Sequence, residues 1–173
     1  MSTVAERKLV TFLRKLQSGG LDSNPLSYIK KIYSDRPRRD LMELTAQFPR
    51  LQVKELGGTS KFSGIGDTTR IYEPVLEVTV YVDMDAPFDY TDAKIAAFWG
   101  EGRNMSPEEA AGAISYHVSK ELGENKATLH SDNSHQFILR GQAGFTDKGI
   151  DNEYFKNLNV YKAGMAYEFF LRD

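Results

Sequence analysis

Residues 76–83 alternate strictly between apolar and polar side chains. One side of an extended chain carries four aliphatic residues here, Leu76, Val78, Val80 and Val82. The other side carries Glu77, Thr79, Tyr81 and Asp83. Because successive side chains of a strand point to opposite faces, this period of two predicts a β-strand with one face in a hydrophobic core. The other face is expected to meet solvent or an interface.

Three further segments have the period and composition of strands. Residues 51–56 alternate and lead into Gly57-Gly58, and residues 136–139 form a short apolar run. Residues 160–171 alternate as well and are rich in aromatic side chains, which favours a closing strand over a helix. Gly141 and Gly144, which follow the strand predicted at residues 136–139, indicate bulges or a turn.

Two segments carry strong helix signals. Residues 4–16 place apolar side chains at helical spacing with basic residues between them, the apolar ones being Leu9, Phe12, Leu13 and Leu16. The run Ser106-Pro107-Glu108-Glu109 has a serine cap, a proline at the first helical position and a glutamate three residues after the cap. This capping box predicts a helix that ends near Leu122.

Weaker signals lie between these elements. Asn24-Pro25 resembles a helix cap followed by proline and predicts a short second helix, although the residues that follow also suit a strand. Short helical segments are predicted at residues 40–46, 92–99 and 152–156. The arginines of residues 36–40 are interpreted as solvated surface, with a contact to phosphate or an acidic partner as the alternative.

These elements predict one α+β domain over residues 1–173. Its sheet is expected to be antiparallel or mixed, with about four strands near residues 51, 72, 136 and 160, packed on one face by two main helices. A long β-hairpin loop is expected over residues 57–69. The 173-residue chain is 40% hydrophobic and 27% charged, values typical of a folded globular protein.

Composition restricts the possible functions. The formal charge of −2 gives no strong field toward duplex DNA or an anionic membrane, and no apolar run approaches the roughly 20 residues that span a bilayer. The chain has no cysteine, which excludes disulfides, thiolate nucleophiles and cysteine-ligated zinc. This composition fits a reducing cytoplasm, and no signal-peptide core is recognised at the N-terminus.

Candidate reactive residues are few. His130, Asp132 and His135 lie within six residues, but in an extended segment His135 points away from the other two, so a polar turn is favoured over a metal site. His117 lies four residues before Glu121, a spacing that stabilises a helix face, and no nucleophile accompanies it as a general base would require.

Two other groups of residues also suit structural roles better than catalytic or ligand-binding ones. The glycines near residues 57–67 match neither the dinucleotide nor the P-loop pattern. Three aromatics are expected in the core rather than stacked on bases, namely Tyr90, Phe98 and Trp99. We therefore expect no enzymatic activity, cofactor or metal. The alternative is a small enzyme or ligand-binding domain with a polar pocket around His117 or around His130 and His135.

Residues 48–82, which lead up to the alternating strand and include it, carry a recognisable pattern. It reads Phe48-Pro49-Arg50-Leu51-Gln52-Val53, then Gly57-Gly58, then Phe62-Ser63-Gly64-Ile65-Gly66-Asp67, then Arg70-Ile71-Tyr72 and the strand to Val82. This pattern resembles the middle of tail-terminator, tail-completion and neck (head-tail joining) proteins of tailed phages and archaeal viruses. The resemblance covers about residues 25–83, whereas residues 84–135 are longer than the corresponding part of compact members.

The resemblance implies a structural protein of the virion, assembled in the host cytoplasm. Such proteins form a ring, typically a hexamer, that binds the tail-tube protein, ends tube growth and offers a face to the head connector or stopper protein. Passive contact with DNA in the lumen is part of this expectation, and contact with a membrane is not. The hairpin residues expected at the subunit or partner interface are Gly58, Lys61, Phe62, Gly64, Ile65, Gly66, Asp67 and Arg70.

Within this hairpin, Phe62 and Ile65 are the apolar residues. Each would gain about 1.5–3 kcal/mol from burial against a partner. The alternative is an ordinary surface hairpin whose apolar residues fold back on the sheet.

Overall fold

A computed structural model describes residues 3–21, 24–34, 48–62, 69–85, 105–151 and 158–172. These residues form three helices and five strands. In chain order the elements are α1 (Val4–Ser18), β1 (Lys31–Ser34), β2 (Arg50–Phe62), β3 (Arg70–Asp83), α2 (Pro107–Glu124), α3 (Lys126–Asp132), β4 (Phe137–Ile150) and β5 (Val160–Arg172).

The five strands form one mixed sheet in the order β1-β2-β3-β5-β4. β1 pairs in parallel with the start of β2, and the other neighbours are antiparallel. β3 lies at the centre, where Val78 pairs with Val53 of β2 on one side and with Met165 of β5 on the other. The α+β class and the mixed sheet are therefore as predicted, with one strand more than expected.

The helices α1 and α2 cover one face of this sheet. α1 packs against β1, β2 and β3, and α2 packs against β3 and β5. The predicted apolar face of β3 is fully buried beneath them, as are the facing residues of β2 and β5: Leu51, Val53, Leu76, Val78, Val80, Val82, Ala163, Met165 and Tyr167. Burial of this apolar area supplies most of the favourable free energy of folding.

Both long helices begin with a capping box. In α2 the Ser106 side chain accepts a hydrogen bond from the Glu109 backbone and the Glu109 carboxylate accepts one from the Ser106 backbone, as predicted. In α1 the same exchange joins Thr3 and Glu6. The second carboxylate oxygen of Glu6 also accepts the backbone N–H of Glu55, at 2.7 Å. Glu6 therefore fixes the start of α1 to β2.

The predicted second helix after Asn24 is wrong. Asn24 has a φ of 52°, a turn follows, and β1 then runs from Lys31 to Ser34. Arg14 of α1 donates to the carbonyl of Ile32 at 2.7 Å, and Ile32 pairs with Leu51. Pairing with β2 and a charge-assisted bond from α1 thus outweigh a weak helical pattern, and the strand alternative is correct.

Several strands are longer than the sequence predicts. β2 and β3 continue to Phe62 and Arg70, so residues 57–62 of the predicted loop belong to the ladder. β4 continues to Ile150, and its ladder with β5 shifts register next to Gly141 and Gly144, as the predicted bulges require. The predicted polar turn at residues 130–135 begins in the last turn of α3. Predictions at residues 36–40, 40–46, 92–99 and 152–156 fall outside the described residues.

The face of the sheet opposite the helices is partly buried. Thr79 and Tyr81 of β3 are only 5% and 2% exposed, although this face was expected to meet solvent or an interface. The Tyr81 hydroxyl donates to Gln52 at 2.9 Å, and the Arg50 guanidinium lies 4.9 Å from the centre of the Phe48 ring. These hydrogen-bonded and stacked contacts offset the cost of burying polar groups.

The Glu6 contact yields a stability prediction. Glu6→Ala removes two hydrogen bonds to a carboxylate and is expected to lower the free energy of unfolding by about 2–4 kcal/mol, measured by chemical denaturation. Glu6→Gln keeps one acceptor oxygen and should lose about half as much. No loss for Glu6→Gln beside a full loss for Glu6→Ala would show that Glu6 acts through packing alone.

Candidate functional site

The outer half of the β2–β3 hairpin lies beyond the core. Leu51 and Val53 are the last residues of β2 in the core, and residues 56–61 are all exposed. A bulge occurs where Glu55 pairs with Leu76 but Gly57 pairs with Val75, which leaves Leu56 as the extra residue. Leu56 is 48% exposed. Bulges of this kind re-aim a side chain, and here the chain continues outward as a solvent-exposed ribbon.

Side-chain contacts stiffen this ribbon. The Tyr72 hydroxyl donates a hydrogen bond to the Glu55 carboxylate, which together with burial and the carboxylate charge raises the pKa of Tyr72 to about 12. Glu73 accepts from Thr59 at 3.2 Å and pairs with Lys61 at 3.5 Å and Arg140 at 2.8 Å. Because these residues come from β2, β3 and β4, they join the ribbon to the rest of the sheet.

Gly58 allows the closest approach within the ribbon. A Cβ atom at this position would lie 2.8 Å from the Glu73 carbonyl oxygen and 2.8 Å from the Tyr72 ring. Gly58 pairs with Pro74 across the ladder. The Tyr72 ring therefore lies over bare backbone, which only glycine provides.

The structure places four of the eight predicted interface residues. Gly58 and Lys61 lie on β2, and Phe62 pairs with Arg70 where the described ladder ends. The other four, Gly64, Ile65, Gly66 and Asp67, fall outside the described residues. β3 also pairs with β5 as far as Ile71 and Arg172. The ribbon is thus the extended end of the sheet, where the sequence predicted a long hairpin loop.

A second candidate is a buried polar network around His117. The Tyr28 hydroxyl lies 2.7 Å from Nδ1 of His117, and Nε2 lies 3.4 Å from the Glu121 carboxylate. These contacts assign the neutral tautomer with its proton on Nε2, so that Nδ1 accepts from Tyr28. Asn125 donates to the other Glu121 oxygen at 3.3 Å. The network connects Tyr28, in the turn before β1, to His117 and Glu121 in the second half of α2 and to Asn125 after that helix.

This network resembles an acid-base relay in layout but is closed to solvent. Tyr28, His117 and Glu121 are only 4%, 3% and 8% exposed. The Tyr28 and His117 rings stack with a centroid distance of 5.7 Å. Burial, with a smaller contribution from Lys120, lowers the pKa of His117 to about 4 despite the nearby carboxylate. The arrangement therefore links the turn before β1 to α2. The sequence indicated the His117–Glu121 pair but not the contact with Tyr28.

The remaining histidines do not form a site with Asp132. His130 accepts a hydrogen bond from the backbone of Leu139 at 3.1 Å, and Asp132 pairs with Lys15 at 2.6 Å. His135 is exposed and occupies a turn with φ of 58°. Across the described ranges, no three acidic or histidine side chains gather so that they could hold a metal ion.

A shallow groove of about 270 Å³ lies between α1 and the end of α3. Asp132 and Asn133 line one side, and residues of α1 line the other, namely Val4, Arg7, Lys8, Thr11, Phe12 and Lys15. Neither His130 nor His135 borders it. The polar pocket that the enzyme alternative requires is therefore not formed by this groove.

The comparisons with known proteins leave the family open. A scan against models of protein families gives no match, and a search of curated proteins finds no similar sequence. The pattern of residues 48–82 and the geometry of the ribbon are accordingly the grounds for a functional proposal.

The packing of Gly58 leads to a prediction. Gly58→Ala is expected to displace Tyr72 or the Glu73 carbonyl and to lower the free energy of unfolding by about 1–3 kcal/mol. Gly141→Ala is the matched control, because a Cβ atom on this strand glycine would meet nothing within 4 Å. Equal thermal midpoints for the two variants would contradict the close contact.

The buried His117 leads to a pH prediction. Its pKa is about 4 in the folded chain and near 6.5 when unfolded, so the unfolded chain binds the extra proton between these values. The free energy of unfolding should therefore fall by up to about 3 kcal/mol as the pH drops from above 6.5 to about 4. In His117→Asn this part of the pH dependence should vanish. Parallel pH curves for the two proteins would contradict the assignment.

Proposed function

We propose that this protein is a ring-forming structural component of a virus particle, located at the end of the tail tube or in the neck. There it ends tube growth and joins the tail to the head connector or stopper protein. The observation that carries the proposal is the β2–β3 ribbon, in which residues 56–61 are exposed and which continues beyond the core as far as Phe62 and Arg70, the last described pair of its ladder. The resemblance of residues 48–82 to terminator and neck proteins supports the same reading.

The composition of the ribbon suits a contact with a partner. Six consecutive residues of β2, from position 56 to position 61, are exposed, and Leu56 is the large apolar one among them. An exposed apolar side chain gains about 1.5–3 kcal/mol when a partner buries it, and a ring repeats that gain in every copy. Ordering costs little here, because Tyr72, Glu73 and Arg140 already hold the ribbon in place.

The ribbon end supplies charge for orientation. Lys61 is exposed near the end of β2, and Arg70 is exposed at the start of β3. Both are cationic, and Lys61 lies 3.5 Å from Glu73, so an acidic surface on a tube or connector protein is expected to add to the charge contacts of the ribbon end. The His117 network, which is closed to solvent, does not favour the enzyme alternative.

The proposed location is the virion, after assembly in the host cytoplasm. Among the described helices, none is both long and apolar enough to cross a bilayer. In a tail or neck ring, passive contact with DNA in the lumen is part of the proposal.

Native mass spectrometry and electron microscopy test this function. The purified protein, at micromolar concentration, is expected to form a closed ring, with six copies as the typical number, and to cap tubes grown from the tail-tube protein of the same virus. Lys61→Glu combined with Arg70→Glu should keep the ring mass but lose tube capping. Lys120→Glu, an exposed change on α2, is the control. A protein that stays monomeric with and without tube protein would overturn the proposal.

A further inference from the structure

The groove of about 270 Å³ between α1 and the end of α3 follows one face of α1. The α1 residues that line it recur at helical spacing and form a single stripe, with Val4 at one end and Lys15 at the other. This stripe is about 16 Å long, because an α-helix rises about 1.5 Å per residue. An extended chain of about five residues has the same length. The groove is therefore elongated and suits a chain-like ligand.

The groove is cationic although the whole chain is not. Three basic side chains line it, namely Arg7, Lys8 and Lys15, and they face a single acidic side chain, Asp132. The formal charge of the whole chain is −2. Because opposite charge attracts a ligand to a cleft of one sign, this local excess favours an anionic ligand.

The uncompensated charge lies in the first half of α1. Lys15 is neutralised by Asp132, whose carboxylate lies 2.6 Å from its Nζ. Lys8 donates to the amide oxygen of Asn133 at 3.0 Å, a neutral partner that leaves its charge in place. Arg7 is exposed, and within the described ranges its guanidinium has no acidic partner. Arg7 and Lys8 thus present two adjacent positive charges to a ligand.

Apolar and hydrogen-bonding groups lie beside these charges. Val4, one turn before Arg7 and Lys8, is 50% exposed, and the buried Phe12 belongs to the lining one turn further on. Thr11 is exposed between them, and its hydroxyl can both donate and accept. An acidic peptide supplies the counterparts of all these groups. Its carboxylates suit the guanidinium fork, an aliphatic side chain suits Val4, and its backbone suits Thr11.

This arrangement favours a peptide over a strand of nucleic acid. Each nucleotide carries a phosphate, so such a strand requires positive charge along its whole length and aromatic rings that stack on its bases. Asp132 places a carboxylate at one end of the groove, and Phe12, the aromatic residue of the lining, is only 2% exposed. A peptide can place its carboxylates at the other end alone.

We infer that this groove binds a short acidic segment of another protein in extended form. Its carboxylates contact Arg7 and Lys8, and an aliphatic side chain packs against Val4. The inference goes beyond the proposed function and is independent of it, because it concerns α1 and α3, whereas the β2–β3 ribbon carries that function.

Fluorescence anisotropy with two dye-labelled peptides tests this inference on the whole chain. The acidic peptide is Leu-Asp-Glu-Leu-Asp with an amidated C-terminus, and its counterpart is Leu-Asn-Gln-Leu-Asn, which has the same shape without charge. The acidic peptide is expected to bind about tenfold more tightly than its counterpart. Its affinity should fall as the salt concentration rises from about 0.05 M to about 0.5 M, because salt screens exposed charges.

Variants then locate the contact. Arg7→Glu should weaken binding of the acidic peptide by about tenfold or more, and Arg7→Gln, which removes the charge without reversing it, by about three- to fivefold. Acidic residues near a helix start are favourable, so Arg7→Glu should stay folded, which circular dichroism checks. Lys54→Glu is the matched control, because it changes the charge equally at an exposed position on β2 and should leave the affinity unchanged.

Three results would overturn the inference: no binding of the acidic peptide, equal binding of both peptides, or equal affinity of the wild type and Arg7→Glu. A labelled oligothymidine of about five nucleotides serves as a competitor of different chemistry. If it binds as tightly as the acidic peptide and is also weakened by Arg7→Glu, the groove is a phosphate site and the peptide assignment is wrong. Each of these results leaves ring formation untouched, so the proposed function stands or falls separately.

Discussion

The structure depends on the covering of one face of β3. This strand is paired on both sides, to β2 and to β5, and its four aliphatic residues lie under α1 and α2 with almost no exposure. A strand with this alternation is not stable in water unless a second layer of structure buries its apolar face. The two helices provide that layer, and their capping boxes fix where each begins.

Much of this fold could be predicted from sequence because the signals are local. The alternation at residues 76–82 and the capping box at Ser106 and Glu109 each depend on residues within a few positions of one another, and both predictions are confirmed. The segment after Asn24 was misjudged because its structure is set by distant partners. Ile32 becomes part of a strand through Leu51 and Arg14, which no local pattern shows.

In the candidate sites, too, the sequence shows the local features but not the long-range contacts. The spacing of His117 and Glu121 indicated a pair, but Tyr28, 89 residues away, completes the network and determines the tautomer. Gly57 and Gly58 were expected to begin a loop, whereas a bulge at Leu56 lets the ladder continue to Phe62. The exposed position of Leu56 arises from that bulge. Sequence patterns identify elements well, but bulges and long-range polar contacts decide where side chains point.

The attachment of Glu6 to the backbone of Glu55 has a consequence for the free subunit. The N–H of Glu55 is not used by the ladder with β3, and β1 covers only the start of β2, so this part of the sheet would otherwise offer a template for stray strands. The buried Glu6 carboxylate occupies that N–H, so it is not available to an incoming strand. The start of α1 thereby closes this position of the β2 edge to pairing with a further strand.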